Sequence, residues 1–197
     1  MSTFSATANS SSTIGYAQYG SSSWSTGSSS GACQGAYQGT TAAKSRVGVM
    51  VFSGAGAALK GKLIQSITLT ITSSGAGSGS SSKKLTFCQA NYQSLNTGVR
   101  GSAQVGATMG TLTGKFYSNT VTHTLNASSN AALFAAMKAY FEAGNSVLVL
   151  YNGETSSSSG YSSNYARVTS CTLTVTYIDA VVWYRDGGTW RQCTVWY

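Results

Sequence analysis

An all-β, jelly-roll-like antiparallel β-sandwich with one α-helix and a C-terminal β-hairpin is the fold this sequence predicts, on three observations. First, over residues 170–178, Cys171, Leu173, Val175 and Tyr177 alternate with Ser170, Thr172, Thr174 and Thr176. That two-residue period belongs to a strand with an apolar core face and a wet hydroxyl face. Second, far upstream, Ile67, Leu69 and Ile71 alternate with Ser66, Thr68, Thr70 and Thr72 in the same way. Two such similar strands are expected to be neighbours in one sheet. Third, only 8% of the residues are charged and none is proline, while Ser, Thr and Gly fill the polar positions, a balance typical of β-rich proteins rather than of cytosolic enzymes.

Residues 1–31 are rich in Ser, Thr and Gly with isolated aromatics, and read as an extended N-terminal arm or one strand, best placed over residues 13–19. Residues 46–52 carry Val47, Val49 and Val51 on one side and Met50 and Phe52 on the other, which predicts a strand buried on both faces. A Gly and Ala turn follows at 53–58, then the alternating strand over 63–72 and a glycine-serine surface loop over 73–82. Strands are expected at 84–90, 111–117 and 120–125, with an irregular stretch from 91 to 109. The single helix spans about residues 130–143: Leu133, Phe134, Met137, Tyr140 and Phe141 recur at helical spacing, Asn130 supplies a cap and Gly144 a left-handed stop. A buried strand over 146–151 and a polar loop to residue 164 lead to the closing strand.

A length of 197 residues suits one domain with tails, which divides the chain into an N-terminal arm (1–40), a sandwich (41–178) and an aromatic tail (179–197). The net charge of +8 is spread from Lys44 to Arg191, too thinly for a nucleic-acid stripe, so no nucleic-acid partner is expected. No stretch approaches membrane-spanning length, and Met1 is followed by no basic and apolar leader, so the chain is expected to be made in a cytosol without a signal peptide and not to insert in a membrane. Cys33, Cys88, Cys171 and Cys193 have no metal-ligand spacing and read as free thiols, Cys88 and Cys171 as small buried hydrophobes. No metal and no cofactor is expected.

Catalysis is not expected either. The acids are Glu142 at a helix end, solvated, Glu154, and Asp179 and Asp186 in a linker and a turn, and no two form a pair that faces one cleft. The lone His123 alternates with Val121 and Leu125 and reads as a core or interface histidine.

Residues 46–52, the Ile-Gln-Ser-Ile-Thr-Leu-Thr-Ile run from Ile64, residues 121–125 before the helix, and Tyr161-Ser-Ser-Asn-Tyr-Ala-Arg before the run from Thr172 to Tyr177 resemble DNRLRE jelly-roll domains and their relatives in bacteriophage tail and other virion proteins. The resemblance spans about residues 40–178, and only Arg167 occupies a place comparable to the family's charged signature. Beyond it, Val182-Trp-Tyr-Arg-Asp-Gly-Gly-Thr-Trp reads as a hairpin turning at Asp186-Gly187-Gly188, and Val195-Trp-Tyr begins the same motif again. Such endings are similar to those of structural proteins of phages of Gram-positive hosts. The resemblance implies a non-enzymatic virion protein of the tail, a fibre or the head decoration, assembling with itself as a trimer and with other virion proteins, and contacting the host surface. The N-terminal arm and the aromatic tail, with Trp183, Tyr184, Trp190, Trp196 and Tyr197, are the expected assembly contacts, since a hairpin cannot bury so many aromatics by itself. The alternative is a lectin-like adhesion module in which Tyr92, Tyr161 and Tyr165 stack on cell-surface glycan.

Overall fold

A computed structural model describes residues 1–37, 44–75, 82–156, 160–179 and 181–194. The strands are β1 (Ser2–Ala8), β2 (Ile14–Gln18), β3 (Trp24–Thr26), β4 (Ala32–Gln34), β5 (Arg46–Val51), β6 (Leu63–Ser73), β7 (Lys83–Ala90), β8 (Val105–Gly114), β9 (Thr120–Leu125), β10 (Val147–Leu150), β11 (Ala166–Ile178), β12 (Val181–Asp186) and β13 (Thr189–Thr194). Three helices, α1 (Ala55–Leu59), α2 (Gly101–Gln104) and α3 (Ala131–Glu142), interrupt them. Two antiparallel sheets form a sandwich: β1-β11-β6-β9, with β4 also on β11, faces β3-β2-β5-β10-β7-β8. The two alternating strands are indeed neighbours, pairing Leu173 with Leu69 and Thr172 with Thr70.

The alternation decides which atoms leave water. Ile67, Leu69, Ile71, Cys171, Leu173 and Val175 are buried in the main core against Met50, Phe87 and Leu148 of the other sheet. The opposite face of the first sheet is a hydroxyl lattice. Thr7 meets Thr172 at 2.8 Å, Ser5 meets Thr174 at 3.2 Å, and Thr68, Thr70 and Thr72 meet Thr124, Thr122 and Thr120 at 3.0–3.3 Å. The second sheet is apolar on both sides, as residues 46–52 require. Val47, Val49, Cys88, Val147 and Val149 form an outer cluster, covered by Tyr19, Trp24, Leu95, Val105 and Tyr151.

The helix α3 closes the side of the sandwich with Leu133, Phe134, Met137, Tyr140 and Phe141 buried. Gly144 ends it in the left-handed conformation, φ 91°. The expected side-chain cap is absent: Asn130 is itself left-handed and its side chain makes no capping bond. The Asn126 carboxamide organises the turn before it instead, accepting from the Ser128 and Ser129 amides. The short α1 and α2 occupy stretches that sequence alone reads as a turn and as irregular chain.

The N-terminal segment is part of the sandwich. β1 and β4 pair with β11, and β2 pairs with β5, so strands before residue 40 lie in both sheets. At the other end, Gly187 and Gly188, both at positive φ, turn β12 into β13 as expected. This hairpin is a separate two-stranded sheet. No helix among the described residues is long and apolar enough to cross a membrane.

Burying an unpaired carboxylate costs several kcal/mol, whereas the wet face tolerates one. Leu69→Asp or Leu173→Asp is therefore expected to abolish soluble folding, and Thr70→Asp or Thr174→Asp to preserve it. Thermal melts of the soluble fractions check this, and similar midpoints for the two classes would contradict the face assignment.

Candidate functional site

One end of the sandwich collects tyrosines around the loop that precedes β11. Ser162 zips this loop to the segment after β4: its amide donates to Ala36 O at 2.8 Å and its hydroxyl accepts from the Ala36 amide at 2.8 Å. Gly35, at φ 81°, allows the approach, because a Cβ there would stand 2.6 Å from the Ser162 hydroxyl. Tyr161 thereby lies beside Tyr37, with centroids 4.4 Å apart and planes at 30°, and beside Tyr165 at 4.5 Å and 50°. Tyr161 is 43% exposed while Tyr165 is 7% exposed, so the first ring is open to solvent and the second supports it from within. The Tyr165 hydroxyl donates to Cys33 Sγ at 3.8 Å. Burial pushes the Cys33 thiol up to about 12, more than the Tyr165 hydrogen bond and the nearby Arg46 and Arg167 lower it, so it stays protonated. Arg46 also lies over the Tyr16 ring, 4.8 Å from its centroid.

A partly buried polar cradle holds the loop. Glu154 accepts from the Asn164 amide at 2.9 Å, from its carboxamide at 2.5 Å and from the Ser163 hydroxyl at 3.3 Å. Burial raises the Glu154 pKa, but hydrogen bonds led by those of Asn164 outweigh it and hold the carboxyl below its ordinary value. Gln34, fully buried, donates to Asn164 O at 2.9 Å and Lys84 O at 2.6 Å and accepts from the Thr86 amide at 2.9 Å. Lys83, 1% exposed, donates to Ser163 O at 3.2 Å. Burial lowers its pKa against the attraction of Glu154.

Of the tyrosines nominated from sequence, Tyr161 and Tyr165 come together here with Tyr37, which sequence reasoning passed over. Tyr92 lies elsewhere, 38% exposed in the loop before α2. The side chains of Trp183, Tyr184 and Trp190 lie outside the described residues, as do Trp196 and Tyr197 altogether. The four acids all have structural partners. Glu142, expected to be solvated, is instead half-buried, accepting from the Ile64 amide and pairing with Lys138. Asp179 pairs with Lys62 at 2.6 Å and Asp186 with Arg191 at 3.1 Å. His123 turns inward against Phe116, and its buried Nε2 has no hydrogen-bond partner. Among the described residues no three of His, Cys, Asp and Glu gather to hold a metal ion. No family model matches this chain, and no curated protein matches it.

Two groups contribute to the acid response with known sign. Desolvation lowers the His123 pKa from 6.5, so the unfolded chain takes up its proton first and stability declines as the pH falls below 6.5. The Glu154 carboxylate contributes stability above its ordinary 4.5, which is lost as the pH falls from there through its lower folded value. Thermal midpoints are expected to fall in two stages on acidification. His123→Phe should flatten the upper stage and Glu154→Gln the lower; a midpoint that stays level from pH 7 to 5 would contradict the first assignment, and one that stays level from there to pH 3 the second.

Proposed function

We propose that this protein is a non-enzymatic structural component of a bacteriophage particle, a tail, fibre or head-decoration protein built on a jelly roll and assembling symmetrically. One observation carries the reading. The chain builds a two-sheet sandwich and then adds a hairpin whose described strands pair with neither sheet, and a two-stranded hairpin is marginal in water by itself. Its aromatic residues each bury roughly 150–250 Å² when covered, so a neighbouring subunit or another virion protein gains several kcal/mol by docking there. The engagement of all four acids in hydrogen bonds to the backbone and ion pairs supports a structural rather than a catalytic role. A low-charge surface lets like subunits approach, although +8 per chain opposes them at low salt.

The exposed Tyr161 on its Tyr37 and Tyr165 supports favours a second, compatible reading, a module that stacks on cell-surface glycan. In that reading Tyr161→Ala removes most retention on host cell-wall polysaccharide, and Tyr92→Ala adds to the loss.

Mass spectrometry of purified particles is expected to find the full chain, and a chain ending at Ile178 is expected to fold yet fail to be incorporated. Absence of the full chain from particles overturns the virion reading. Equal incorporation of the truncated chain overturns the role of the hairpin.

A further inference from the structure

We propose that copies of this chain join head-to-tail through the two free edges of the hydroxyl-faced sheet, β9 of one copy adding antiparallel to β1 of the next. The inference rests on the symmetric self-assembly proposed above and supplies its contact. The two edges match in direction, in face and in hydrogen-bond phase.

Direction follows from strand order. In β1-β11-β6-β9 every neighbour is antiparallel, so β1 and β9 run oppositely, and a second copy translated along the sheet brings its β1 antiparallel to the first copy's β9. Face follows from sequence. Thr3, Ser5 and Thr7 on one edge and Thr120, Thr122 and Thr124 on the other all stand exposed on the hydroxyl side. Their union continues the lattice without placing an apolar residue in water or a hydroxyl in the core.

Phase follows from the ladder. The Ser73 amide donates to Asn119 O at 2.9 Å, which makes the odd residues of β6 the hydrogen-bonded partners of β9. Antiparallel pairs alternate between hydrogen-bonded and closer non-hydrogen-bonded residues. Thr70 therefore bonds Thr172 of β11, and Thr7 and Ser5 are non-bonded partners of Thr172 and Thr174. The short hydroxyl contacts fall at these non-bonded positions, across β1–β11 and β6–β9, as the alternation requires. The main-chain N–H and C=O groups of Thr3, Ser5, Thr7, Thr120, Thr122 and Thr124 consequently point out of the sheet. No strand among the described residues pairs with them. In the joint, Thr3 faces Thr124, Ser5 faces Thr122 and Thr7 faces Thr120, each pair exchanging both of its bonds.

Edges are ordinarily defended by charge, proline, bulges or shortness. The second sheet conforms: β3 has three residues, and β8 lies against the register shifts of its pairing with β7 and under α3. β1 and β9 contain no charged residue and no proline, and β1 pairs in unbroken register. A β1–β1 or β9–β9 dimer covers one edge and leaves the other bare, whereas the head-to-tail joint covers both, in a ring where the rotation between copies closes and in a filament where it does not.

The experiment uses two full-length chains, Ser5→Cys and Thr122→Cys, both with Cys193→Ser, mixed and mildly oxidised. Hydrogen-bonded partners lie about 5.5 Å apart between Cα atoms, inside the range a disulfide spans. The expected result is a cross-linked heterodimer from the mixture and none from either chain alone. Ser5→Pro, which removes an outward amide, is expected to lower the assembled mass in sedimentation while leaving the thermal midpoint near that of the parent. No cross-link in the mixture, a cross-link in one chain alone, or a parent that remains monomeric at all concentrations overturns the pairing. Incorporation into particles without the mixed cross-link sinks the pairing and leaves the virion reading standing. The cross-link in a chain never found in particles supports the pairing and sinks the virion reading.

Discussion

The pairing of β6 with β11 is the constraint on which the other elements depend. These are the two longest strands, and their register sets Ile67, Leu69 and Ile71 beside Val175, Leu173 and Cys171 on the core side. A slip of one residue on either strand turns a row of threonines into the core and a row of aliphatics into water, so the alternation tolerates a single register. β1, β4 and β9 are added to this pair, and each inherits its face from it. The register shifts near Val168 and Thr176 confine irregularity to the ends of the pair, where β11 leaves the tyrosine loop and where it hands over to the hairpin.

Where a pattern is local, it is legible in the sequence. The period-two runs at β6 and β11, the helical period of α3 and the Asp-Gly-Gly turn each contain their own signal within one element. β1 lacks such a signal because its inward residues are only Phe4, Ala6 and Ala8, too small a payload to stand out from a Ser- and Thr-rich arm. It becomes a strand because β11 offers it a continuous ladder. The helix α1 is likewise tertiary in origin. A Cβ at Gly56 would lie 2.3 Å from Gly144 O, so this residue is glycine to let α1 touch the end of α3, a reason invisible from either segment alone.

The candidate site is less legible for the same physical reason. Tyr161 and Tyr165 are close in the chain, but Tyr37 reaches them only because Ser162 bonds Ala36 across a separation of 126 residues. The Glu154 cradle is assembled from three distant segments, those of Gln34, Lys83 and Asn164. A lone glutamate in a polar loop gives no hint that its carboxylate will be surrounded by donors and its pKa lowered. Side-chain type marks which residues are able to meet, and the long-range ladder decides which do.

The choice of threonine for the wet face links stability to assembly. Cross-strand hydroxyl pairs contribute about 0.2–1 kcal/mol each, and β-branched side chains suit the pleated surface, so a charge-free face holds its strands well. The same choice withholds the lysines by which sheets normally repel one another at their edges. In this chain the cations about the sheet, apart from Arg167 within β11, sit on connections, such as Lys60 and Lys62 before β6 and Lys115 before β9, while the free edges β1 and β9 remain neutral. A face that gains its stability from uncharged ladders thus leaves undefended edges, which is why the proposed assembly is built on adding a further strand there.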